Sequence, residues 1–105
     1  MILAAGLGTR LRPLTDRIPK ALVPVAGVPM IERVARRLVQ AGATRLVINT
    51  HHHARQIEDF VRERNDFDVE VRFSREEGDA PLETGGGILN AAPFLTMDAP
   101  FVVHN

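Results

Sequence analysis

The sequence has no cysteine, no tryptophan and no tyrosine, and its 13 Lys and Arg are cancelled by 13 Asp and Glu. Without thiols there is neither a disulfide framework nor a thiolate zinc site, which speaks against a small secreted scaffold and for a cytoplasmic setting. A formal net charge of zero removes the basic footprint with which general nucleic-acid binders displace counterions. No apolar run approaches the ~20 residues that cross a bilayer, and no basic, apolar leader opens the chain, so a membrane partner is not expected either. Internal repeats and low-complexity tracts are also absent. What is present is 105 residues, 45% hydrophobic and 25% charged, a composition that fits one globular domain or part of a larger one.

The neutral total hides a local imbalance. Residues 6–28 carry Arg10, Arg12, Arg17 and Lys20 against Asp16 alone, a charge of +3 that leaves −3 for the remainder. That local excess suits a small anion better than a polyanion.

Met1 to Ala5 is a short apolar run ending at a glycine and reads as a buried strand that starts abruptly. From Gly6 to Val28 there is no amphipathic period, but glycines at 6, 8 and 27 and prolines at 13, 19 and 24 imply a long ordered loop of the kind usually given over to function. Pro29 suits the first turn of a helix in which Ile31, Val34, Ala35, Leu38 and Val39 share a face, with Glu32, Arg33, Arg36, Arg37 and Gln40 opposite. Gly42 closes it, and Leu46 to Ile48 form a fully apolar strand. A second helix is expected from His53 to Arg64, burying Ile57, Phe60 and Val61 and turning Arg55, Glu58, Asp59 and Arg62 to water. Val69, Val71 and Phe73 alternate with charged residues, the period of a strand at a sheet edge. Thr84 to Ala92 reads as a helix entered through glycines, and Pro100 to Val103 as a fourth strand stopping at His104 and Asn105. Strands alternating with helices under the right-handed crossover rule predict an α/β, Rossmann-like three-layer sandwich with a mostly parallel sheet of about four strands in the order 3-2-1-4.

In that order the winding reverses between strands one and four, and ligands of open α/β sheets bind at such a reversal. The Gly6 loop lies there. It fails the dinucleotide fingerprint, because position 11 is Leu, and it lacks the Gly-Lys-Ser/Thr of a Walker loop. Ala4, Ala5, Gly6, Leu7, Gly8 and Thr9 still have what a phosphate cradle needs, small side chains and glycines that let backbone N–H groups approach oxyanions. Arg10 can grip two phosphate oxygens and Lys20 can add a mobile charge. The bland alternative is an ordinary βα turn with solvated cations.

The stretch LAAGLGTRLRPLTDRIPKALVPVAGVPM at 3–30, continued by NTHHH at 49–53 and PLETGGG at 81–87, resembles the sugar-1-phosphate nucleotidyltransferases over essentially the whole chain. Within that family it is similar to the mannose-1-phosphate guanylyltransferases and the N-acetylmuramate-1-phosphate uridylyltransferases. The resemblance implies an enzyme that joins a nucleoside triphosphate, GTP or UTP, to a sugar 1-phosphate with release of pyrophosphate. It implies Arg10 and Lys20 as catalytic residues, and a nucleotide site formed by Leu3, Ala4, Ala5, Gly6, Gly8, Thr9, Arg10, Lys20, Glu83, Thr84 and Gly85. Ala4, Ala5 and Gly6 would close over base and ribose, and Glu83 and Thr84 match the segment whose backbone reads the base edge, where many members carry Gly in place of Glu83. In the family the strand matching Phe101 to Asn105 is followed within a couple of residues by an aspartate that binds Mg²⁺, so the resemblance implies Mg²⁺ for the complete enzyme with that ligand past Asn105. Residues 1–105 are therefore expected to be the N-terminal nucleotide-binding part of an incomplete nucleotidyltransferase fold, weakly active or inactive alone, with a homo-oligomer left open.

The remaining features have plainer readings. Three consecutive histidines, His51 to His53, point in different directions and cannot all ligate one ion, so they read as a polar loop before the second helix, with Thr50 as its candidate cap. His104 is read as a hydrogen-bonded neighbour of the site, and Arg33, Arg36 and Arg37 as a solvated helix face without the aromatic platform of an RNA binder. The alternative function is a non-catalytic nucleotide-binding or regulatory module on the same loop. An oligomerising scaffold has only the edge strand in its favour.

Overall fold

The computed structural model describes residues 1–95 and 99–105. In chain order its elements are β1 (Ile2–Leu3), β2 (Pro24–Val25), β3 (Val28–Pro29), α1 (Met30–Gln40), β4 (Arg45–Thr50), α2 (Ala54–Glu63), β5 (Glu70–Arg75) and α3 (Thr84–Ala91). The apolar run Leu46–Ile48 becomes the centre of a parallel sheet ordered β1-β4-β5, with Ile48 opposite Ile2 on one side and Phe73 on the other. Because side chains alternate across a strand, Leu46 and Ile48 face the layer of α1 and α2 while Val47 faces α3. Ile31, Ala35, Ile57 and Val61 pack on the first face, and Met1 and Ala91 on the second. The expected three layers are present, and β5 lies at the edge where its alternation put it.

On the far side of β1 the expected fourth strand is reduced to one parallel bridge, Ile2 to His104. Three backbone bonds hold the segment: Met1 N donates to Val102 O (2.6 Å), His104 N to Met1 O (2.9 Å) and Leu3 N to His104 O (2.8 Å). Its position agrees with the order 3-2-1-4, but the chain at Phe101–Val103 is not a strand. The three side chains are exposed, so no burial enforces a regular pleat.

The loop from Gly6 to Val28 is ordered by short turns that its prolines start. Pro13 precedes a 3₁₀ turn at Leu14–Asp16 and Pro19 another at Lys20–Leu22, while β2 and β3 form a hairpin closed by Ala26 and Gly27. That hairpin lacks the alternation that would have marked it in the sequence. Arg33 holds it down with two bonds to Val25 O (3.0 and 2.7 Å), and Arg36 bonds Glu32, so this arginine face is not merely solvated.

Two helix starts and one helix side chain depart from expectation. Pro29 stays extended as the residue before α1, which starts at Met30. The residue before α2 is His53, at φ 56°, and Thr50 is not its cap but the fully buried end of β4. Glu58 does not face water: it is buried because the Arg75 guanidinium takes both its oxygens, at 2.8 and 2.9 Å. After α2, Asn65 to Asp68 wind left-handed at φ 53° to 61°, a conformation Asn and Asp tolerate and that drives the Phe67 ring into the core. Among the described residues no helix is long and apolar enough to cross a membrane.

Candidate functional site

Two concavities open at the C-terminal end of β1. The larger, about 330 Å³, lies between the strand end and the start of α3, with Leu3, Ala4, Ala5, Gly6 and Lys20 on one side and Glu83 and Thr84 on the other. The second, about 290 Å³, is formed by Gly6, Gly8, Thr9, Arg10, Leu11 and Lys20. Gly6 and Lys20 line both. Of the residues expected from the sequence, all but Gly85 line one or both cavities. Gly85 lines neither; it is in the first turn of α3 with open space around it.

The loop geometry follows from its residue types. Gly8 sits at φ 66°, and a Cβ there would lie 2.9 Å from Thr15 Cγ2, so glycine is needed both for conformation and for space. The buried Thr15 donates from Oγ1 to Gly8 O (2.6 Å), and Gly8 O also accepts from Leu11 N (3.0 Å), which fixes the turn. Gln56 of α2 reaches across to Arg17 O (3.0 Å) and ties the loop to the helical layer. The amides of Ala5, Gly6, Leu7 and Gly8 donate to no acceptor among the described residues. Arg12 is engaged by Asp16 at 3.3 Å, whereas the exposed Arg10 and Lys20 have no ion-pair partner among the described residues. The loop therefore presents free amides and the cations Arg10 and Lys20 along the two concavities.

The opposite wall was less legible. Met30, Ile31 and Val34 of α1 and Asn49 at the end of β4 also line the larger cavity. Asn49 and Glu76 are both buried and bonded to each other, Asn49 Nδ2 donating to Glu76 Oε1 at 2.7 Å. A polar residue closing an otherwise apolar strand, and a carboxylate one residue past the next strand, are the signals that mark them. His104 lines the cavity as well, and its backbone is bonded to β1.

These neighbouring concavities, one glycine-lined and cationic and the other larger and bounded by β1, α1 and the start of α3, are of the kind in which small molecules bind. A family model described as nucleotidyl transferase matches residues 1–105. The chain belongs to the nucleotidyl transferase family. It is 49% identical over 105 residues to N-acetylmuramate alpha-1-phosphate uridylyltransferase of Neisseria meningitidis, covering 100% of this chain and 45% of that protein. Mannose-1-phosphate guanyltransferase of Gibberella zeae is 40% identical over 107 residues, covering 100% of this chain and 29% of that protein. Among solved structures, HddC from Yersinia pseudotuberculosis complexed with GMP-PN matches 90% of this chain and 41% of its own at 37% identity, with a TM-score of 0.76. The chain thus spans less than half the length of the relatives it matches. Both sugar-1-phosphate nucleotidyltransferase types to which the sequence is similar are represented, and the Rossmann-like fold is shared.

Among the described residues no group of three or more His, Asp or Glu is placed to hold a metal ion. No Mg²⁺ ligand is assigned among the described residues.

Proposed function

We propose that residues 1–105 are the nucleotide-binding part of a sugar-1-phosphate nucleotidyltransferase acting in nucleotide-sugar biosynthesis. The observation that carries this reading is the sharing of Gly6 and Lys20 by the two cavities, which sets them side by side: a compartment suited to base and ribose next to a cradle of free amides and cations. A nucleoside triphosphate, UTP or GTP, fits that division, with its base edge against Glu83 and Thr84 and its phosphates over Gly6 to Arg10. An oxygen of the sugar 1-phosphate attacks the α-phosphorus, and the bond to the departing pyrophosphate breaks in line. Arg10 stabilises the charge gathering on pyrophosphate, and Lys20, at the junction of the compartments, orients the α-phosphate and the attacking group. Such transfers are catalysed mainly by positioning and charge stabilisation, which free amides and unpaired cations supply.

The test is calorimetric titration of the full-length protein with UTP and GTP, with and without Mg²⁺, followed by pyrophosphate release with N-acetylmuramate 1-phosphate and mannose 1-phosphate. Micromolar binding of one triphosphate and release dependent on one sugar phosphate are expected. Binding without release would favour a non-catalytic nucleotide module, and binding of neither triphosphate would overturn the reading.

A further inference from the structure

A chain of buried polar groups joins the two walls of the larger cavity. Ala4 N donates to Asn49 Oδ1 (2.6 Å), Asn49 Nδ2 donates to Glu76 Oε1 (2.7 Å), and Glu76 Oε2 accepts from Leu82 N (2.7 Å). Ala4 belongs to the wall that continues into the glycine loop, and Leu82 immediately precedes Glu83 and Thr84 on the other. Asn49 and Glu76 are 3% and 5% exposed, so solvent cannot substitute for a lost partner. The main chain of Glu76 is itself anchored, its N–H donating to Thr50 O (2.8 Å). The third side of the relay is Gly87 of α3, where a Cβ would stand 2.8 Å from Glu76 Oε1 and 2.9 Å from Asn49 Nδ2.

The polarity of this chain is determined by its ends. Both ends are backbone N–H groups, so the two side chains between them must present an acceptor to each and still complement one another. An amide that accepts on one side and donates on the other, followed by a carboxylate that accepts on both, satisfies all three contacts. Glutamine at 76 would turn its NH₂ toward either Asn49 Nδ2 or Leu82 N, and flipping Asn49 would only move the mismatch to Ala4 N.

We propose that Glu76, acting through Asn49, is a positioning residue that sets the separation of the two walls and thereby the affinity for the nucleoside triphosphate, without touching the reacting atoms. The proposal rests on the nucleotidyltransferase reading above. It makes a specific demand: Glu76→Gln breaks the relay, Asn49→Asp breaks it by opposing two carboxylates, and the double variant restores it with reversed polarity. In the double variant an aspartate accepts from Ala4 N and from the glutamine NH₂, whose carbonyl accepts from Leu82 N.

The experiment measures steady-state kinetics of the full-length protein and its three variants, each well below its own melting temperature. Each single variant is expected to raise the triphosphate KM about tenfold, with kcat and the sugar 1-phosphate KM within about twofold, and N49D/E76Q to return the triphosphate KM to within about threefold of the parent. A merely structural role would lower the active fraction, so kcat would fall at constant KM; that pattern overturns the proposal. It is equally overturned by single variants with unchanged triphosphate KM, or by a double variant no better than either single. If Glu76→Gln does not fold, the double variant decides alone: folding with near-parental KM supports the relay, and failure to fold overturns it. A parent protein that binds no triphosphate sinks the functional reading and the relay's role together, whereas an active parent with indifferent variants removes only the relay.

Discussion

Arg10 and Lys20 are exposed cations in a loop whose neighbouring acid, Asp16, is already engaged by Arg12. Their exposure means that truncation removes no core packing. Their proposed roles put them where charge changes during the reaction. Arg10→Ala and Lys20→Ala are each expected to lower kcat by ~10²–10³, the loss typical of removing one preorganised electrostatic donor. The melting temperature should stay close to the parental value, because surface substitutions away from special contacts are usually within about 0.5 kcal/mol. Pyrophosphate release and a thermal melt on the same preparations check both halves. These two residues were legible because local charge excess and glycine spacing are linear properties. Asn49 and Glu76 were not, since their significance arises from meeting each other across 27 positions of chain.

At the scale of elements, α1 and α2 are joined by Glu32, which bonds Arg36 within its own helix (2.9 Å) and Arg64 beyond the end of α2 (3.3 Å). Burial by itself would raise the Glu32 carboxyl, but the hydrogen bonds and charges of the two guanidiniums together outweigh it and hold the group below the usual carboxylate range. A carboxyl lowered in the folded state contributes stability that is present above its unfolded value, about 4.3, and is lost as the pH falls through the folded one. Melting temperatures recorded from pH 7 to pH 3 should therefore drop on the acid side. Glu32→Gln should lie below the parent at pH 7 and converge with it near pH 3; parallel curves would refute the assignment. Helix α3 shows a different kind of element-scale control. Its run Gly85–Gly87 is poor in helix propensity, roughly 1 kcal/mol per glycine, yet Gly87 is needed because Glu76 and Asn49 occupy the space a side chain would take. Asn90 compensates by tying the helix to β5 through Ser74 Oγ and Arg75 O, both at 3.0 Å.

For the molecule as a whole, β4 is the common wall of both side-chain layers, so its interior residues should govern global stability. Ile48 is completely buried at the centre of the sheet, and Ile48→Ala is expected to cost ~2–5 kcal/mol. Against the ~5–15 kcal/mol typical of a domain, that leaves little folded protein at elevated temperature. Leu89, 76% exposed on α3, serves as the control, with Leu89→Ala changing stability by less than about 0.5 kcal/mol. Chemical denaturation followed by circular dichroism measures the difference. A loss below about 1 kcal/mol at Ile48 would show that β4 is not the keystone of the sheet.

By itself the sequence determined the order of helices and main strands, the edge position of β5 and the loop that carries the glycines and free cations. Periodicity, glycine and proline placement and local charge act over a few residues and are readable along the chain. Only the tertiary structure decided that Glu58 is buried against Arg75, that His104, just past the last apolar run, makes the bridge to β1, and that Asn49 and Glu76 connect the cavity walls. Each of these depends on which donors and acceptors are shut away from water together, and that is determined when distant segments pack, not by any spacing within one of them.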